Sequence, residues 1–99
     1  MPYITQQKRD SLNPYLEALS DEIVIQSDSD AAMGDLNYCI CMLIILLIKK
    51  INEKVRYIWI DKVDGVLSNV GREFYDRVGR EYEDRAVEKN GDLPWEDLL

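Results

Sequence analysis

The 99-residue sequence predicts an all-α fold: a small helical bundle with an apolar central helix and a long C-terminal helix. Three observations carry that reading. Ile60, Val63, Leu67, Val70, Phe74, Val78 and Tyr82 recur at steps of three and four, which is the period of one face of an α-helix. Tyr38 to Ile48 runs without a charged or strongly polar side chain, and its length and its Leu and Met content suit a helix better than a strand. The aromatic, β-branched stretch Val55 to Ile60 has no second strand to pair with, and a lone strand is not stable.

The N-terminal helical region covers residues 1–26. Asn13-Pro14 reads as a helix start, because Asn accepts free first-turn amides and Pro at the first helical position loses only an orphan donor. Leu16, Leu19 and Ile23 then line one face of a helix ending near Gln26, and Pro2 to Asp10 forms a separate short turn. The polar run Ser27-Asp28-Ser29-Asp30 competes for backbone hydrogen bonds and reads as the loop between the first two helices.

The central helix is assigned to residues 31–51, with Leu36 to Ile48 as its apolar body and Gly34-Asp35-Leu36-Asn37 as its opening, capped by Asp35. Four isoleucines, Ile40, Ile44, Ile45 and Ile48, are the argument for a buried strand instead. The run stops at Lys49-Lys50, short of the roughly 18 to 20 residues that a membrane span needs, so no membrane partner is expected. A helix apolar on every side must be covered all round. Leu16, Leu19 and Ile23 on one side and Leu67, Val70 and Phe74 on another are the helically spaced faces available, and the remainder points to a homo-oligomer with Ile44, Ile45 or Ile48 at the contact.

Lys49 to Arg56 reads as a helix end and connection, its cations placed where C-terminal carbonyls favour them. The C-terminal helix takes residues 56–89; Gly65, Gly71 and Gly79 each weaken it, so one of them marks a bend or a close helix approach. Asn90-Gly91 is a C-cap signature, and residues 90–99 form an acidic tail with apolar teeth at Trp95 and Leu98. That tail either folds back on the body or docks into a partner groove.

Composition narrows the chemistry. The length fits one domain, residues 1–99, and the apolar and charged fractions of 46 % and 31 % suit a globular chain. The charge is −5 over residues 1–38, +2 over 39–70 and −4 over 71–99, a net −7 that disfavours general nucleic-acid binding. The absence of His removes His-based triads, His-ligated zinc and imidazole switching. Cys39 and Cys41 turn about 200° apart on a helix, cannot pair with each other, and read as reduced packing residues of a cytoplasmic protein. Glu81, Glu83 and Asp84 with Asp35 are the carboxylates from which a metal site would be built, but they read better as a solvated face. With no nucleophile-base pair and no phosphate loop, neither an enzyme nor a cofactor is expected.

Several strings are specific in their order and spacing: Met1-Pro2-Tyr3-Ile4, Gly34-Asp35-Leu36-Asn37-Tyr38, Gly65-Val66-Leu67, Phe74-Tyr75-Asp76-Arg77-Val78, Tyr82-Glu83-Asp84 and Asn90-Gly91-Asp92. Together they resemble a family of small phage, prophage and bacterial proteins, about 100 residues long, catalogued as a domain of unknown function. The resemblance implies a helical domain and a mobile-element setting, and names no activity. The sequence departs from the family pattern at Leu93-Pro94-Trp95, which replaces a shorter ending.

Asp35, Asn37, Tyr38, Tyr75, Arg77 and Tyr82 are the candidate ligand-binding residues, combining a helix N-terminus with aromatic faces and a guanidinium. The competing reading of the last helix is structural: its arginines pair with acids at helical spacing, as Arg77 with Glu81 and Arg80 with Asp84. Two functions follow. One is an oligomeric, non-enzymatic binding protein that counteracts a host defence by sequestering a small nucleotide ligand. The other is an acidic inhibitor that binds a host nuclease or CRISPR effector directly, presenting carboxylates where that protein expects phosphates.

Overall fold

A computed structural model describes residues 4–52 and 56–99, with the side chain of residue 52 left out. Every regular element among them is helical: α1 Gln6–Gln26, α2 Ser29–Asn52, α3 Tyr57–Phe74, a π-helical turn Tyr75–Gly79, α4 Arg80–Asn90 and a short 3-10 turn Trp95–Leu98. The strand alternatives for α2 and for Tyr57 to Ile60 are therefore set aside; Val55, like Met1 to Tyr3, lies outside the described residues. The chain divides into two compact units, Met1–Ile51 and Asn52–Leu99.

In the first unit, α1 starts earlier than Asn13-Pro14 suggests. Thr5 is its N-cap, its hydroxyl accepting the Lys8 amide at 3.3 Å, and Pro14 sits inside the helix. An interior proline removes one backbone bond, yet the long unbranched side chains of Gln6 to Arg9 favour helix on its N-terminal side, and Gln6 donates to Asp10 at 2.8 Å one turn on. The separate turn expected before Asp10 is thus the start of one continuous helix. Its end is as expected, with the Ser27 amide closing on the Ile23 carbonyl at 3.0 Å.

The link to α2 is only Ser27-Asp28. Asp28, not Asp35, caps the second helix: its carboxylate accepts the Ala31 amide at 2.8 Å, so Ser29 and Asp30 are already helical. Gly34 to Asn37 consequently lies inside α2, where its amides are spent on the helix and no free positive terminus exists. Asp35 instead accepts a hydrogen bond from the Ser27 hydroxyl, tying the link to the second turn of α2. The half-buried residues of this corner are Ile23, Ser27, Ala32 and Asp35.

No described residue of the chain is fully buried. Leu16 and Leu19 on α1 are exposed, as are Leu67, Val70 and Phe74 on α3, Phe74 at 66 %. Within the first unit, the α1 face expected to cover the central helix is therefore open at Leu16 and Leu19. On α2, Leu36, Ile40, Leu43, Ile45, Leu46, Leu47 and Ile51 are exposed, while Cys39, Met42, Ile44 and Ile48 are half-buried. Both cysteines are free thiols, and Cys41 is exposed rather than packed. The helix carrying the eleven-residue apolar run is longer than the run itself. Ser29–Ile51 is long and apolar enough, by length and composition, to cross a membrane, because Ala31 to Gly34 add small and apolar residues before Asp35.

In the second unit, α3, the π turn and α4 follow one another without a break from Tyr57 to Asn90, about 50 Å at 1.5 Å per residue. Gly91, at a φ of 87°, ends the helix, its amide closing on the Val87 carbonyl at 2.8 Å.

Candidate functional site

The six residues singled out from the sequence fall three in each unit: Asp35, Asn37 and Tyr38 on α2 of the first, Tyr75, Arg77 and Tyr82 in the second. Asp35 is half-buried and committed to Ser27, whereas Asn37 and Tyr38 are exposed. The anion site expected at the opening of α2 has no helix terminus to form it.

The second unit holds the more organised chemistry. Tyr75 begins the π turn, in which the Arg80 amide reaches back to the Tyr75 carbonyl, five residues rather than four. The Tyr75 hydroxyl donates to the Glu83 carboxylate at 2.8 Å, spanning eight residues along the helix. Its ring lies across Gly79: a Cβ built there would come within 2.8 Å of the ring carbon Cδ2. Gly79 thus makes room for a side chain of its own helix, which is neither the bend nor the helix approach expected at one of the three glycines. The Arg80 guanidinium stands 5.9 Å from the centre of the same ring, within cation-π range.

The bond to Glu83 and the negative charge of that carboxylate push the Tyr75 phenol above its ordinary value of 10.0. The phenol is therefore a donor throughout the neutral range. Its edge is committed to Glu83, leaving ring surface for stacking.

The arginines pair toward the N-terminus rather than as expected. Arg77 bonds Glu73 at 3.1 Å and not Glu81; Arg80 bonds Asp76 at 2.9 Å and not Asp84; Arg85 bonds Glu81 at 2.7 Å. Each acid precedes its base by four residues, the orientation that the helix dipole favours. These are exposed pairs, each worth at most about 0.5 kcal/mol. Tyr82 is exposed on α4. Asp76, Arg80, Glu81, Asp84, Arg85 and Glu88 line a shallow polar face with four acids against two arginines, both already paired.

Gly79, Arg80 and Glu83 are the members of this cluster that the sequence reading did not place at the ligand site, Glu83 having been weighed only among carboxylates for a metal. The available signal is the spacing Tyr75, Gly79, Glu83, at i, i+4 and i+8, with the glycine between the two polar ends. Among the described residues no group of three or more His, Cys, Asp or Glu is arranged to hold a metal ion. The 92–99 segment carries Leu93, Trp95 and Leu98 exposed, so the fold-back of Trp95 and Leu98 onto the body does not bury them.

Residues 1–93 match the profile of a family described as Domain of unknown function (DUF6899), and the chain belongs to that family. No curated protein and no solved structure matches the chain significantly.

Proposed function

We propose that this DUF6899 protein is a non-enzymatic binding protein of a phage or prophage that assembles with copies of itself in the bacterial cytoplasm and counteracts a host defence system, with a small nucleotide signal molecule as its ligand. The observation behind the assembly is α2, whose leucines, with Ile40, Ile45 and Ile51, stay open to solvent while Ile44 and Ile48 are half-buried. Contiguous apolar surface of this kind marks an interaction face, and an isologous contact between copies removes two such faces from water at once.

A membrane is the competing cover. Ser29–Ile51 is long and apolar enough to cross one, but a crossing would carry Asp35 and Asn37 with it, and the stretch between them and Lys49-Lys50 is only about 16 Å at 1.5 Å per residue, against a hydrocarbon core of about 30 Å. Self-association needs no such length and leaves the charged ends in water.

The ligand reading rests on Tyr38, Tyr75 and Tyr82, all exposed, as stacking surfaces, with the guanidinium of Arg77 as a fork for phosphate. A thermal-shift screen against cyclic nucleotides and ADP-ribose derivatives tests it. A hit that Tyr75→Ala and Arg77→Ala abolish supports the reading; an empty screen removes the nucleotide.

One observation favours a second reading. The four-acid face along the π turn and α4 suits a basic protein better than a phosphate, which fits an acidic inhibitor of a host nuclease or CRISPR effector. Pull-down of such a protein, lost at high salt, distinguishes the two.

A further inference from the structure

Two apolar surfaces of this chain are open, and they carry opposite charges beside them. On α2, Leu43, Leu46, Leu47 and Lys50 fall at offsets 0, 3, 4 and 7, one stripe of leucines ending in a cation, with Lys49 adjoining; all five are exposed. Of the three isoleucines expected at the contact between helices, Ile45 points about 200° away from Leu47 and so lies off this stripe, whereas Ile44 borders it.

The 92–99 segment is the complement. Gly91 turns the chain off α4; the Leu93 amide then bonds the Asp92 carboxylate at 2.7 Å, and the Asp97 amide closes on the Pro94 carbonyl at 3.1 Å. This turn holds itself together, so less ordering entropy is lost when it docks. It presents Leu93 at 65 %, Trp95 at 61 % and Leu98 at 79 % exposure, flanked by Asp92, Glu96 and Asp97.

We propose that the 92–99 segment of one copy packs Leu93, Trp95 and Leu98 onto the Leu43, Leu46, Leu47 stripe of a second copy, with Glu96 and Asp97 beside its Lys49 and Lys50. The proposal rests on the self-association put forward above and adds the element that specifies it. Area supports a second copy as occupant. The three side chains expose roughly 300 Å² of apolar surface, taking about 120 Å² per leucine and about 200 Å² per tryptophan. Leu43, Leu46 and Leu47 expose roughly 180 Å² by the same measure, so a reciprocal exchange covers roughly 950 Å² of apolar side chain, and the flanking lysine and carboxylate side chains bring it toward the roughly 1,200 Å² at which standard-size interfaces begin. Charge supports it too, since the lysines stand in the one block of net positive sign and the segment in a negative one.

The test is photo-crosslinking of the full chain carrying Trp95→p-benzoylphenylalanine, with adducts mapped by mass spectrometry. The expected result is crosslinked dimers whose adducts fall between Leu43 and Lys50 of the partner copy. Trp95→Ser with Leu98→Ser is expected to weaken self-association at least 100-fold, and Lys49→Glu with Lys50→Glu to weaken it at least tenfold at low salt. Adducts confined to one chain, adducts only to added lipid vesicles, or self-association unchanged in the Trp95→Ser, Leu98→Ser variant each overturn the docking. If that variant remains oligomeric, only the docking fails. If the unsubstituted chain sediments as a monomer at tens of micromolar, self-association fails with it.

Discussion

Replacing Ile45 by Glu is the sharpest perturbation of the assembly, because Ile45 is 48 % exposed in the isolated chain and lies mid-way along the apolar run. At about 120 Å² for its side chain, roughly 60 Å² remains for a second copy to cover, or about 1.5 kcal/mol at about 25 cal/mol/Å². In a symmetric contact the loss is counted twice, giving about 3 kcal/mol. An unpaired carboxylate at such a contact adds a desolvation penalty of several kcal/mol per ion. The combined effect raises the dimer dissociation constant by more than about a thousandfold, since each 1.4 kcal/mol is a factor of about ten. Sedimentation velocity over a concentration series reads this directly, with circular dichroism checking that the helices persist. The expected outcome is a monomer of unchanged helicity for Ile45→Glu and an unaffected oligomer for Ile45→Leu. An Ile45→Glu protein with the same mass as the parent would refute the placement of the contact.

The remaining predictions concern single chains. Asp28→Ala lowers stability by about 1 kcal/mol in thermal melts, as loss of an N-cap does, and Asp28→Asn, which still caps, restores most of it; if Asp28→Ala is silent, the helix starts elsewhere. Gly79→Ala gains about 1 kcal/mol of helix propensity when combined with Tyr75→Ala, but less in the parent, where the new methyl meets the Tyr75 ring; equal gains in both backgrounds contradict the ring position. Glu83→Ala brings the Tyr75 phenol back toward 10.0, read by ¹³C NMR of Tyr-labelled protein. Because the folded state holds this proton more tightly, the stabilisation is present below pH 10.0 and is lost as pH rises through the higher folded value. A stability that rises across that interval in the parent relative to Glu83→Ala has the wrong sign.

Legibility differed from element to element for identifiable reasons. The helix from Tyr57 to Asn90 was readable because its apolar positions keep the period for six turns and Asn90-Gly91 closes it; the Gly91 φ of 87° is the conformation that makes glycine the stop signal. The start of α1 was not, since Asn13-Pro14 looks the same at a first turn as in a helix interior. Asp28, Asp30 and Asp35 all precede the apolar run, and nothing local says that Asp28 caps while Asp35 bonds back to Ser27. Both Arg77 and Arg80 have acids four residues away on either side, and only the dipole rule selects Glu73 and Asp76. The Tyr75 to Glu83 bond was hidden more deeply, because a π turn carries no periodic signature. Of the candidate ligand-binding residues, Asp35 is committed to Ser27 outside its helix, and Tyr75 is organised along its own helix by Gly79, Arg80 and Glu83.

Self-association through the exposed apolar surface of α2 is the proposal from which the rest of the proposed function follows, and its direct test is the mass of the unsubstituted chain in detergent-free solution. Sedimentation equilibrium at tens of micromolar is expected to give an integral multiple of 11.5 kDa, two or greater, with full helicity. A helical species of 11.5 kDa under those conditions, or one that is soluble only in detergent micelles, contradicts it.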